Sequence, residues 1–173
     1  MKIAIIGPES TGKTELSKYL AEKMGGRYHE EIAREYVGQL NRKYTIADLH
    51  NILELQVEQY KNADNDNCTL HFFDTEWIIT KIWYEWVYGC LPVDFLKIVA
   101  EMKFDFYLLC NPDIPWIEDP LRENGGIARL LLYEIYLQNL RQFNFPFENV
   151  SGIGEERFKN AVEIIKKNVL NEQ

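Results

Sequence analysis

Gly7-Pro8-Glu9-Ser10-Thr11-Gly12-Lys13-Thr14 lies between the apolar run Lys2 to Ile6 and the helical-looking segment Lys13 to Met24, and its reading decides the fold. The stretch fits the phosphate-binding pattern GxxxxGK[ST], and strand, loop, helix is the context that pattern requires. Glycines let the backbone curl so that successive N–H groups point inward, and the following helix adds the positive end of its dipole. Gly7, Pro8, Glu9, Ser10, Thr11, Gly12, Lys13, Thr14 and Glu15 therefore read as one anion cradle for a nucleotide. Lys13 is expected to reach the β- and γ-phosphates as a point charge, and the Thr14 hydroxyl to ligate a Mg²⁺ that bridges them. ATP and Mg²⁺ are the expected cofactors. The same loop serves kinases, ATPases and GTPases, so the rest of the chain has to discriminate.

Outward from the loop, strand-like and helical segments alternate. Gly25-Gly26 closes the first helix, and Arg27 to Glu30 reads as a short second strand. Thr45 and Asp48 form a capping box with a shorter acid. They open a helix whose apolar residues Ile46, Leu49, Leu53, Val57 and Tyr60 recur at helical spacing, and it ends near Asp64 to Asn67. Thr69 to Phe73, ending at Asp74, and Phe104 to Cys110, ending before Asn111-Pro112-Asp113, read as central strands. Pro146 to Val150 supplies a fifth, and a last helix starts near Glu155, with Phe158, Ala161, Ile165 and Val169 on one face. The pattern predicts an α/β fold: about five parallel strands joined by right-handed crossovers, with helices on both faces.

The 173 residues carry 19 Lys and Arg against 27 Asp and Glu, a formal charge of −8, with 46% apolar and 27% charged residues. That is one domain's worth of ordinary globular chain, expected to span 1–173. The acidic balance supplies no broad basic footprint, so neither nucleic acid nor an anionic membrane is expected as a partner. Apolar stretches such as Ile3 to Ile6 and Ile127 to Tyr133 fall short of the roughly 20 residues of a membrane span. Gly7-Pro8-Glu9 breaks the N-terminal apolar run before a signal-peptide core of about 7 residues is reached, so a cytoplasmic protein is expected. Cys68, Cys90 and Cys110 match neither a disulfide framework nor a zinc pair and read as buried free thiols. His29, His50 and His71 show no ligand spacing.

Asp74, at the end of His71-Phe72-Phe73-Asp74, occupies the strand end where a carboxylate would face the loop. It would hold the metal shell or accept a proton from an attacking hydroxyl; the competing role is a helix N-cap. Residues of about 117–128 read as a mobile lid, in which Arg122 and Arg129 flank Gly125-Gly126 and would close over the phosphates. Glu30-Glu31-Ile32-Ala33-Arg34-Glu35-Tyr36 follows the second strand, and Glu31, Arg34 and Tyr36 are candidate acceptor-site residues. Of the four tryptophans, Trp83 and Trp86 have ordinary packing periodicity, and Trp116, in a loop, is the candidate to stack on a cationic or aromatic acceptor. The acceptor is expected to be a small molecule, and the oligomeric state is left open.

Together these residues resemble the ribosylnicotinamide kinase domain at the C-terminus of bacterial NadR proteins and related stand-alone kinases. The resemblance runs nearly end to end. It rests on Ile5 to Thr14, Ala33-Arg34-Glu35-Tyr36, Asp74-Thr75, Thr80-Lys81-Ile82-Trp83, Pro112-Asp113-Ile114-Pro115-Trp116 and Leu121-Arg122-Glu123. It implies transfer of the ATP γ-phosphoryl group to the 5′-hydroxyl of ribosylnicotinamide, giving nicotinamide mononucleotide for NAD salvage. The chain departs from the expected pattern after Asp74-Thr75, where Glu76-Trp77 stands in place of a further Asp. A kinase for another nucleoside or ribosyl acceptor, and a nucleotide-dependent regulatory ATPase, remain alternative readings of the same motifs.

Overall fold

The computed structural model describes residues 1–170, so residues 171–173 of the expected domain lie outside the described residues. The strands are β1 Lys2–Ile6, β2 Arg27–His29, β3 His71–Asp74, β4 Phe106–Cys110 and β5 Phe147–Val150. They form one sheet in the order β2-β3-β1-β4-β5, and every pairing is parallel. Parallel neighbours require crossovers, and helices provide them: α1 Lys13–Met24, α2 Ile32–Gly38, α3 Ile46–Asn62, α4 Trp77–Tyr88, α5 Phe95–Val99, α6 Gly126–Gln142 and α7 Glu155–Asn168.

β1 and β4 are buried along their whole length, which is why their sequences are continuous apolar runs rather than alternating ones. Alternate residues still serve opposite faces. Ala4, Ile6, Phe73, Tyr107 and Leu109 join Leu49, Ile52, Ile78, Ile82 and Leu140 in the core under α3, α4 and α6. Ile3, Ile5, Phe72, Phe106 and Leu108 join Leu16 and Leu20 of α1 and Ala161 and Ile165 of α7 in the second core.

Several local expectations meet the structure with adjustments. Thr45 and Asp48 form the capping box of α3. β3 begins at His71 rather than Thr69, and β4 at Phe106 rather than Phe104. The short helices α2 and α5 are too brief for a periodic signal. All three cysteines are free, but only Cys110 is buried: Cys68 is half-buried and Cys90 exposed. His29 Nε2 and His71 Nδ1 lie 3.0 Å apart, a pairing made by the β2–β3 register rather than by sequence spacing. Among the described residues no helix is long and apolar enough to cross a membrane.

The chain runs from β1 to one side of the sheet through β2 and β3, then reappears on the other side as β4. This reversal leaves a crevice at the carboxyl ends of the central strands, where doubly wound sheets bind ligands. Ile5 pairs with Asp74 and Ile6 with Leu109, so the loop after β1, the carboxylate ending β3 and the segment after β4 meet on one edge.

Candidate active site

The loop is built by two backbone positions that only glycine fills comfortably. Gly7 has φ +138°, and a Cβ there would sit 2.8 Å from the Cys110 carbonyl oxygen. Gly12, at φ +72°, caps α1 in the left-handed conformation. Inside the turn the Thr11 hydroxyl and the Lys13 ammonium both donate to the Pro8 carbonyl, at 2.8 and 3.0 Å. Lys13 is thus folded back and buried, with its charge next to the hollow of the loop.

Asp74 is 1% exposed. Its Oδ2 accepts from the Thr14 hydroxyl at 2.5 Å, and its Oδ1 is buried with no hydrogen-bond partner. Burial pushes the Asp74 pKa up, against the pull of Lys13 and the Thr14 hydrogen bond. The N-cap role falls to another residue, since Glu76 accepts from the Ile78 N–H at 3.0 Å and starts α4. Between them Thr75 adopts φ +68°, a conformation costly for a β-branched residue by about 1–3 kcal/mol. That bend lets the chain leave β3 with Asp74 held toward the loop and Glu76 turned to the helix. An orphaned anionic oxygen beside a hydroxyl is a pair of hard donors that fits Mg²⁺. No group of three or more His, Cys, Asp or Glu among the described residues could hold a metal ion without other ligands, so phosphate oxygens would have to complete the shell.

A cavity of ≈ 270 Å³ opens over the loop, lined by Glu9 to Glu15, Glu31, Arg34, Trp83, Leu121 and Arg122, among others. Glu31 stands at the start of α2, and its pKa is pushed up to about 6, chiefly by burial; Lys13 opposes the shift and Asp74 adds to it. Arg34 reaches from α2 to pair with Asp119 of the lid. Tyr36 does not line the cavity. Its hydroxyl donates to Asp48 Oδ1 at 3.2 Å and accepts from Asn51 at 2.8 Å, because helical spacing turns this residue toward α3.

A second cavity, ≈ 510 Å³, shares Glu9, Val37, Trp83 and Leu121 with the first and is walled by Tyr44, Trp83, Trp86 and Tyr88. Tyr44 and Trp83 stack with centroids 5.4 Å apart. Trp116 lines neither cavity. It lies over the base of the lid, where a Cβ on Gly125 would come within 3.3 Å of its Cε2. The aromatic wall therefore comes from α4, whose tryptophans the sequence pattern assigns to packing, and from Tyr44 just before α3.

The lid is irregular from 117 to 125, and the expected 126–128 portion is the first turn of α6. It rests closed on the loop. Glu9 Oε2 accepts from the N–H groups of Glu123 and Asn124, at 3.1 and 2.8 Å, and Ser10 Oγ accepts from that of Ile117 at 2.9 Å. Arg122 faces the first cavity and donates to the Ile117 carbonyl. Arg129 departs from the expected lid arginine that closes over the phosphates: it is buried on α6, and its guanidinium is taken up by backbone carbonyls. Arg157 of α7, which sequence reasoning passed over, is buried against the same loop. No motif marks it; the only signal is an arginine on the first, otherwise acidic turn of an amphipathic helix.

Comparison with known proteins adds an independent line. A family model described as an AAA domain matches residues 2–157. The chain is 25% identical over 171 residues to the trifunctional NAD biosynthesis/regulator protein NadR of Salmonella typhimurium, covering 95% of this chain and 42% of that protein. It thus spans less than half the length of that curated relative. A crystal structure of NadR protein in complex with NR superposes with a TM-score of 0.81 at 24% identity, over 96% of this chain and 51% of that one. Deoxyadenosine kinase from M. mycoides, solved with dCMP and dCDP, gives 0.66 at 19% identity, over 96% and 100%. These likenesses place the chain in the P-loop NTPase fold.

Proposed function

Because this chain belongs to the AAA domain family and its phosphate cradle opens directly into an aromatic cleft, we propose that it is an ATP-dependent small-molecule kinase. The acceptor we infer is ribosylnicotinamide, phosphorylated on its 5′-hydroxyl to nicotinamide mononucleotide. The observation that carries this reading is the shared wall of the two cavities. A phosphate end with Lys13 and Thr14 and an aromatic end with Trp83 and Tyr44 meet at Glu9, Val37, Trp83 and Leu121. A cationic ring suits the aromatic end because aromatic faces attract cations; the charged lining of that cleft is balanced, with Glu9 and Glu123 against Arg42 and Lys43. NadR, solved with NR, supports the choice of acceptor.

In this reading the acceptor lies between α2 and α4, with its hydroxyl toward Glu31. Glu31 takes the hydroxyl proton as the oxygen attacks the γ-phosphorus; the new O–P bond forms as the bond to the β-bridging oxygen breaks, and ADP leaves. A carboxylate raised toward neutrality is well matched to that task. Lys13 leaves the Pro8 carbonyl for the phosphate oxygens, and Arg122 meets developing charge from the lid side. Thr14 and Asp74 would hold the Mg²⁺, which supplies charge neutralisation on the phosphates. The closed lid keeps water from the transferring group. Trp116, Arg129 and Tyr36 are left in supporting positions outside the cavity.

The likeness to deoxyadenosine kinase along that enzyme's whole length favours a second reading, a nucleoside acceptor in the same cleft. ADP release from Mg-ATP, measured with ribosylnicotinamide, with common nucleosides and with no acceptor, separates the two. Lys13→Ala serves as control and is expected to lose orders of magnitude in turnover. Release confined to ribosylnicotinamide supports the first reading, and release with a nucleoside supports the second. Equal release in every tube points to hydrolysis and a regulatory ATPase.

A further inference from the structure

Three consecutive carbonyls of the phosphate loop are bonded to two buried arginines. Arg129 Nε donates to the Glu9 carbonyl at 3.1 Å and Nη2 to that of Ser10 at 2.6 Å, while Nη1 holds the Ile114 carbonyl at 2.9 Å. Arg157 Nη2 donates to the Thr11 carbonyl at 2.9 Å and to that of Asn111 at 3.1 Å. Its Nη1 is fixed by Asp113 Oδ1 at 2.8 Å and the Gly152 carbonyl at 3.1 Å. The two side chains are 7% and 3% exposed, and neither lines the cavity over the loop.

A trans peptide unit carries its C=O and N–H on opposite sides, and the chain contains no cis bond among the described residues. The carbonyls of Glu9, Ser10 and Thr11 share their peptide planes with the N–H groups of Ser10, Thr11 and Gly12. Arginines that hold those carbonyls from outside the cavity therefore turn three N–H groups toward the hollow. Hydrogen bonds from a charged donor are roughly twice as strong as neutral ones, and they polarise the peptide so that its N–H becomes a better donor. The charges differ in compensation. Arg157 pairs with Asp113, whereas Arg129 makes no ion pair among the described residues: Arg157 and Arg122 repel its charge, and Asp113 attracts it without pairing. A buried cation with no carboxylate paired to it, placed behind an anion cradle, is relieved when an anion enters the cradle.

We propose that Arg129 and Arg157 are positioning residues for the nucleotide phosphates, acting through the peptide units of Glu9 to Gly12 without touching the phosphates. This inference rests on the kinase reading, because it presumes phosphates in the cradle. It differs from the role of a lid arginine that swings in during transfer. Arg129 also joins the loop to the helix that follows the lid, so loop shape and lid helix are set together.

The test is calorimetric titration of Mg-ADP into the wild-type protein, Arg129→Lys and Arg157→Lys, with melting curves as a check on folding. Lysine keeps the charge and loses the fork, so each variant is expected to bind ADP about tenfold or more weakly, with the KM for the acceptor unmoved. Folded variants with wild-type ADP affinity would overturn the proposal. Failure of the wild-type protein to bind any adenine nucleotide would instead overturn the kinase reading. Should neither variant fold, ¹⁵N-arginine labelling of the wild type decides. A slowly exchanging Arg129 Nε–H signal that persists when Mg-ADP is added supports the clamp, because that N–H holds the Glu9 carbonyl. Its rapid exchange on ADP addition shows that the side chain leaves the carbonyl, and sinks it.

Discussion

Thr14 Oγ1 and Asp74 Oδ2 meet at 2.5 Å across the junction of loop and sheet, and the other Asp74 oxygen is buried without a partner. Two elements far apart in sequence thus present two oxygen ligands to one point beside the cradle, and burial raises the cost of leaving that carboxylate unmatched.

The consequence for the metal is direct. Asp74→Asn keeps the shape and removes the charge. It is expected to fold, to turn over about 10²–10³-fold more slowly, and to need more Mg²⁺ for half-maximal rate. Rates measured across a Mg²⁺ titration at fixed ATP check this, and a wild-type titration curve in the variant removes Asp74 from the metal shell.

Glu31 yields a paired prediction on rate and stability. Its pKa is raised from 4.5 to about 6, so the folded protein binds the proton more tightly than the unfolded chain does. Stability therefore falls as pH rises from 4.5 through 6, because the native state holds more protons over that window. Glu31→Gln is expected to raise stability by about 1–2 kcal/mol at neutral pH and to leave it unchanged in acid. The wild-type rate rises with pH through about 6, and the variant loses about 10²–10⁴-fold in rate. Melting curves at both pH values and a pH–rate profile test the two halves separately.

The tryptophans can be told apart by one constant. Trp83→Ala is expected to weaken acceptor binding by about 1–3 kcal/mol, the range for stacking on an aromatic face. Trp116→Ala is expected to leave the acceptor KM in place. A reversed result would return the stacking role to the loop after β4.

Glu9 holds the lid through the N–H groups of Glu123 and Asn124. Glu9→Gln replaces a charged acceptor with a neutral one of roughly half the strength. Faster proteolysis within 117–125 and a higher rate of ATP hydrolysis without acceptor are expected. Proteolysis at the wild-type rate would mean that Ser10 and Arg34 hold the lid without help.

Much of this arrangement was legible in the chain. The apolar run to Ile6, the loop and the helix from Lys13 are local signals, and the β-branched and aromatic runs mark β3 and β4. Asp74 was legible because a strand end fixes where its carboxylate must lie. The position of Tyr36 outside the cavity was not legible, because α2 has only seven residues and no periodicity betrays which way its side chain turns. Trp83 was hidden by the opposite effect: its spacing from Trp86 fits packing and pocket lining equally well. Arg129 and Arg157 bond to backbone carbonyls, and a carbonyl carries no residue identity for a motif to record.

The sheet order has a further consequence, for how the protein reaches this state. Among the described residues β1 pairs only with β3 and β4, through contacts such as Lys2 with His71 and Ile3 with Phe106. Closing such long segments costs entropy before any contact repays it, so folding is slow relative to proteins of local topology. The strand that leads into the loop finds its first partner only after α1, β2, α2 and α3 have been threaded past it. Until then its apolar residues are open to intermolecular pairing, and the loop that follows it has no neighbouring strand to set its shape.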